Sequence, residues 1–172
     1  MPKTKSSKVE KLEKDLAAST LVDNAESLEL LIQRVKKASV TVDGKLCSQI
    51  GHGLLVLLGV VKGDEKLNAD KLAEKLVHLR IFEDENGKMN KSLLDEKGEM
   101  LIVSQFTLCG DCKKGTRPSF DKSAPPTIAN NLYEYFISKV KEYNVPVQTG
   151  VFGAMMDVEL INDGPVTFMV EK

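Results

Sequence analysis

The sequence predicts an α/β fold, a single domain of mostly antiparallel or mixed β-sheet with two main helices. Three observations point there. Short β-rich runs broken by Gly, Pro and Asp-Gly recur along most of the chain. Only two segments carry a sustained helical period. Strands and helices do not alternate strictly, which argues against a doubly wound parallel sheet. A length of 172 residues suits one domain, and 42% hydrophobic with 28% charged residues matches a globular chain.

Residues 1–27 stand apart, with five lysines, five acids, no aromatic residue and no glycine. They are expected to form a flexible extension unnecessary for chemistry, a docking or targeting arm being the alternative, and residues 28–172 the folded domain. Leu28–Val35 and Ala38–Val42 read as strands, and Asp43-Gly44 before Leu46–Ile50 predicts a hairpin, because type I′ turns need positive φ at both central residues. Gly51-His52-Gly53 breaks the pattern. Leu54–Val61 then reads as a strand buried on both faces. Leu72, Leu76 and Leu79 predict a helix over 69–80, and Met89–Leu94 a short strand. Met100–Leu108 is expected as a buried strand and Cys109–Ala124 as a polar loop. Pro125-Pro126 opens a helix to about Tyr143, with Ala129, Leu132, Tyr133, Phe136 and Val140 on one stripe. Val147–Val151, Met156–Ile161 and Val166–Val170 are expected strands, the last two joined by a turn at Asn162-Asp163-Gly164-Pro165.

Composition excludes several classes. Lys plus Arg (24) and Asp plus Glu (25) nearly cancel, which is poor for gathering nucleic acid by a global field. The longest apolar run, Leu54–Leu58, is far below the ~20 residues of a membrane-spanning helix. Three cysteines give no disulfide framework and fit a reducing, cytoplasmic setting. Only His52 and His78 are available to a Ser-His-Asp relay, and no phosphate-cradling or dinucleotide motif is present. Cys109-Gly110-Asp111-Cys112 reads as two loop thiols before it reads as half a zinc site or a redox pair, because further metal ligands are scarce.

Two segments are more informative. Ser104-Gln105-Phe106-Thr107 places hydroxyl and amide groups where a buried strand meets a loop. Asn162-Asp163-Gly164-Pro165-Val166-Thr167 is a tight glycine–proline stretch, and Gly-Pro can be cis. From the residues alone these are a polar strand end and a turn, compatible with a site but naming no reaction.

Together the two segments resemble the paired signature motifs of the D-aminoacyl-tRNA deacylases. Leu31–Val40, Gly53–Val60, Gly115–Phe120 and Thr149–Met156 are also similar, in place and order, so the likeness spans about residues 29–171. It implies that 28–172 is a deacylase domain, and that the chain hydrolyses the ester joining a D-amino acid, or glycine, to the tRNA 3′ end. It also implies a homodimer with its site at the interface, no cofactor, no metal and no membrane. Ser104, Gln105, Phe106 and Thr107 would be the catalytic segment, with the tRNA 2′-hydroxyl assisting water and Thr107 shaping the pocket rather than attacking. Gly164 and a cis Pro165, held by Arg34, would reject L side chains with main chain. Phe152, Gly153, Ala154, Met156 and Ala129 complete the implied substrate-binding set. The alternative is a nucleic-acid-binding regulatory module without deacylase activity, and Lys36, Lys37, Lys113, Lys114, Arg117 and Lys122 are candidates for a local patch for the tRNA acceptor end.

Overall fold

The computed structural model describes residues 27–171, so the expected 1–27 extension lies almost wholly outside the described residues. The fold is organised on one long strand, β1 (Glu29–Val42). On one side β1 pairs antiparallel with β2 (Lys45–Ile50) through its second half and with β3 (Gly53–Gly59) through its first half. On the other side it pairs antiparallel along its length with β8 (Asp157–Glu171). The sheet continues in parallel from β3 to β6 (Glu99–Ser104) and from β6 to β7 (Val147–Thr149). A small hairpin, β4 (Phe82–Glu83) and β5 (Met89–Lys91), lies apart.

Helices α1 (Lys66–His78) and α3 (Pro126–Lys141) cover one face of the sheet. Leu30, Ile32, Leu54, Val56 and Ile102 point into that layer against Leu72, Leu76 and Phe136. A second core on the opposite face joins Val35, Ala38, Val40, Leu55, Leu101 and Val103. Even-numbered β1 residues thus change face between Ile32 and Ala38. The physical cause is the irregular stretch at Lys36 and Lys37, where the β1–β8 register slips and an extra residue inverts the alternation.

The Asp43-Gly44 hairpin has positive φ at both positions, 50° and 74°, as the turn type requires. Other expectations need correction. Met89–Leu94 is a strand only to Lys91, because Ser92 and Asp95 form a reciprocal capping box that starts the single-turn helix α2 (Leu93–Glu96). The strand expected over Met100–Leu108 ends at Ser104. The one expected over Leu54–Val61 ends at Gly59, and Val61 instead forms a bridge to Ser123. Asn162-Asp163-Gly164-Pro165 is not a turn between two strands: Asn162 still faces Val35 and Thr167 faces Gln33, so both halves run in one direction along β1. The residues between them bulge out of one continuous strand.

Candidate active site

β6 stops where its apolar run gives way to Ser104 and Gln105. The Gln105 N–H makes the last ladder-like bond, to the Leu58 carbonyl at 2.8 Å, and Phe106–Cys109 then winds into one 3-10 turn. The turn lies close over the end of β3: a Cβ on Gly59 would stand 2.8 Å from Cys109 Sγ and 3.3 Å from the Gln105 carbonyl oxygen. Cys109 is therefore not a loop thiol. It is buried, its Sγ lies 3.6 Å from the Val60 carbonyl, and burial pushes the thiol up to about 11. Cys112 is exposed.

The turn presents Phe106 and Thr107 to solvent. The first bond of the turn runs from the Leu108 N–H to the Gln105 carbonyl at 3.3 Å, so the Phe106 and Thr107 N–H groups precede it and have no acceptor within the turn. The Gln105 side-chain amide donates to Thr107 Oγ1. Neither histidine is near. His52 lies beside the first residue of β6 and pairs with Glu96 at 3.2 Å, five residues or roughly 17 Å from Ser104. His78 accompanies Tyr143 at the far ends of α1 and α3.

The second lip of the candidate site is the segment after β7, the strand paired in parallel with β6. The Gly150 N–H donates to the Ile102 carbonyl at 3.1 Å and the buried Tyr133 hydroxyl donates to the same oxygen at 2.8 Å. Burial pushes the Tyr133 phenol up to about 12, which keeps it a donor. Its ring lies 6.0 Å from Phe152. Gly153 has φ 75°, a conformation that favours glycine, and Ala154 closes a turn onto the Val151 carbonyl at 3.1 Å. Met156 tucks behind: a Cβ on Gly150 would stand 2.7 Å from its sulfur. Ala129 is buried in the helix–sheet core.

Gly164 and Pro165, joined by a cis peptide bond, lie elsewhere. Arg34 is only 5% exposed; its Nε donates to the Asp163 carbonyl at 3.0 Å and its Nη1 to the Ile81 carbonyl at 2.8 Å. Ser104 is in register with Leu58, Leu30 and Val170, whereas the bulge stands beside Arg34. Three strand spacings across and four residues along separate the two segments, roughly 20 Å. Within one chain, then, Ser104–Thr107 and Phe152–Ala154 leave the same end of the paired parallel strands β6 and β7, and Gly164-Pro165 does not join them. The six candidate cations divide in the same way: Lys36 and Lys37 sit on β1 opposite the bulged strand, and the other four on the 110–122 loop.

Sequence reasoning passed over Tyr133, which looked like one more apolar stripe position; a hydroxyl on a buried stripe was the available signal. Among the described residues no three His, Cys, Asp or Glu side chains converge to hold a metal, and no helix is long and apolar enough to cross a membrane.

Residues 31–171 match the family model described as D-Tyr-tRNA(Tyr) deacylase. The chain is 63% identical over 144 residues to a D-aminoacyl-tRNA deacylase of Geotalea daltonii, covering 84% of this chain and 96% of that one. It is 60% identical over 145 residues to one of Thermosipho africanus, covering 84% and 97%. Among solved structures, the c-Myc DNA Unwinding Element Binding Protein is 40% identical with TM-score 0.79, over 84% of this chain and 98% of that one. A structure described as a probable eukaryotic D-amino acid tRNA deacylase superposes with TM-score 0.73 at 19% identity, over 85% and 100%, a likeness of fold alone. Over nearly its whole folded part, this chain belongs to the D-aminoacyl-tRNA deacylase family.

Proposed function

We propose that this chain clears D-amino acids and glycine from mischarged tRNA by ester hydrolysis, in a site completed by a second copy of itself. The hydrolase activity follows from the family. The proposal concerns how these residues perform it, and one observation carries it: the two signature segments are both exposed, yet stand roughly 20 Å apart in one chain. A second copy can bring its own Gly164-Pro165 to the Ser104–Thr107 lip. β8 supports such an assembly. Among the described residues its outer edge has no strand partner, and Val158, Ile161, Phe168 and Met169 are exposed along it. A long apolar edge left open is an aggregation hazard unless a defined partner covers it.

In the proposed mechanism, water attacks the ester carbonyl carbon and the tRNA terminal 2′-hydroxyl assists it. The developing oxyanion meets the N–H groups of Phe106 and Thr107, which precede the first bond of the turn. The intermediate collapses, the 3′-oxygen leaves and takes a proton, and free D-amino acid and tRNA depart. An aminoacyl ester is already activated, so orientation and oxyanion donors suffice. Thr107 is a poor nucleophile here, since its Oγ accepts from Gln105 and no histidine lies within reach as a base. Main chain at Gly164 would read chirality: an L side chain collides with it, while a D side chain points away and its identity is ignored. The setting proposed is the cytoplasm, consistent with exposed free thiols at Cys47 and Cys112.

The test is hydrolysis of D-Tyr-tRNA and L-Tyr-tRNA under matched conditions, with sedimentation to give the oligomeric state. Equal rates on both esters, or none on the D form, overturn the activity. A monomer with full activity overturns the shared site. A second reading, a DNA-binding module without hydrolysis, has in its favour the likeness to the c-Myc DNA Unwinding Element Binding Protein. Duplex binding with steep salt dependence and no deacylation would establish it.

A further inference from the structure

Within the polar loop expected over Cys109–Ala124, residues 110–122 form a hydrogen-bonded finger beside the candidate site. Asp111 and Ser119 exchange both backbone hydrogen bonds, at 2.7 and 2.9 Å, and Gly115 turns the tip with φ 66°. The root is fixed by the Lys62 N–H on the Lys122 carbonyl at 2.9 Å and by the Val61–Ser123 bridge. Ser123 Oγ reaches the Phe106 carbonyl at 3.4 Å, which ties the finger to the catalytic turn.

Two properties of this finger are unexplained by stability. Its Phe120 ring stands edge-on to Phe106, centroids 5.2 Å apart, yet the two residues are 39% and 57% exposed. Gly110 lets the ring sit there, since a Cβ would come within 3.0 Å of it. The tip from Cys112 to Pro118 carries Lys113, Lys114 and Arg117 and no acid, in a chain whose net charge is -1. An exposed aromatic step beside a local cluster of cations is the chemistry that receives unpaired nucleotides: bases stack on the rings and phosphates meet the cations.

We propose that the finger binds the unpaired nucleotides just upstream of the tRNA terminal adenosine, with one base on Phe120 and their phosphates along Lys113, Lys114 and Arg117. This rests on the deacylase reading and extends it from the ester to the single-stranded acceptor end. The finger then sets how strongly tRNA is preferred over a minimal ester, while the Ser104–Thr107 lip performs the chemistry.

The experiment compares kcat/KM on D-Tyr-tRNA with that on D-tyrosyl-adenosine, for the full chain, two disruptive variants and one conservative variant. Phe120→Leu and the triple exchange of Lys113, Lys114 and Arg117 to Ala should each cut the tRNA-over-adenosine ratio about tenfold, through KM on tRNA. Phe120→Trp, which keeps a stacking ring, should hold the ratio at the wild-type value. In the triple variant the log–log salt slope of KM should fall by roughly 2, the value for three single-strand phosphate contacts. Phe120→Leu has a fold-independent companion in the triple variant, whose side chains are all on the exposed tip. Single-stranded RNA ending in CCA should compete better than the same DNA; the reverse order overturns the assignment to tRNA. A wild-type chain active on both esters, with a ratio that neither disruptive variant moves, overturns the finger alone. A wild-type chain inert on both overturns the deacylase reading and the finger with it.

Discussion

Arg34 donates from Nε to the carbonyl of Asp163 at 3.0 Å, so a buried guanidinium on the central strand grips the residue immediately before Gly164. The same side chain holds the Ile81 carbonyl at 2.8 Å, which anchors the bulge of β8 to the segment that follows α1. A planar fork with several donors can make both bonds at once, and an ammonium on a flexible stem cannot hold the two in that geometry.

Arg34→Lys should therefore keep the charge and lose the geometry. The expected result is a modest loss of stability, a preserved rate on D-Tyr-tRNA within a few-fold, and a rise in L-Tyr-tRNA hydrolysis. Arg34→Met, which abandons both charge-assisted bonds, should cost about 2–3 kcal/mol in chemical denaturation. Unchanged chirality discrimination in Arg34→Lys would remove the arginine from the positioning role.

Gly164 has φ 129°, and a Cβ there would stand 2.8 Å from Val166 Cγ2, 3.1 Å from Val166 N and 3.2 Å from Arg34 Nη2. Both the conformation and the crowding oppose any side chain. Gly164→Ala should shift the bulge at a cost of roughly 1–3 kcal/mol and lower the D-over-L ratio at least tenfold. The bulge lies outside the two cores, so thermal unfolding should stay cooperative. A ratio that survives the exchange would mean that main chain at Gly164 does not read the chiral centre.

Much of the scaffold was legible because its signals are local. Asp43-Gly44 sets its own hairpin, the apolar run from Leu54 to Leu58 can only be a strand buried twice, and the stripe from Ala129 to Val140 demands a helix. The site was less legible because its decisive contacts are remote. Arg34 meets Asp163 and Ile81 across 129 and 47 residues of chain, so nothing near it in sequence marks it as buried. Asn162-Asp163-Gly164-Pro165 has the composition of a turn, and only its pairing with β1 makes it a bulge. The family resemblance supplied both segments before geometry did, but only the register shows that one chain keeps them apart.

The thiols should separate into two classes. Cys47 and Cys112 are exposed and should react with a disulfide reagent at pH 8 within seconds to minutes, whereas buried Cys109 should react only on unfolding. Burial raises its folded-state pKa from an ordinary 9.0 to about 11, so the folded chain keeps a proton that the unfolded chain releases. The resulting stabilisation is complete below pH 9 and lost as pH rises toward 11. Cys109→Ala should flatten that alkaline decline, and three equally reactive thiols in the native protein would contradict the buried position.

Thr107 tests the proposed chemistry. If its oxygen only accepts from the Gln105 amide and its hydroxyl proton faces the substrate, Thr107→Ser should retain most activity. Thr107→Ala should lower kcat by about ten- to a hundredfold, the loss of one positioned hydrogen bond. Gln105→Ala should act in the same direction, because it frees the hydroxyl to rotate. A nucleophilic threonine requires a different pattern: a burst of tRNA release, an aminoacyl ester on Thr107 in quenched reactions, and no residual turnover in Thr107→Ala with binding intact. Mass spectrometry of the quenched single turnover distinguishes the two directly. With His52 and His78 both at the far end of the sheet, neither imidazole is placed to activate the hydroxyl, and the unmodified threonine is the expected finding.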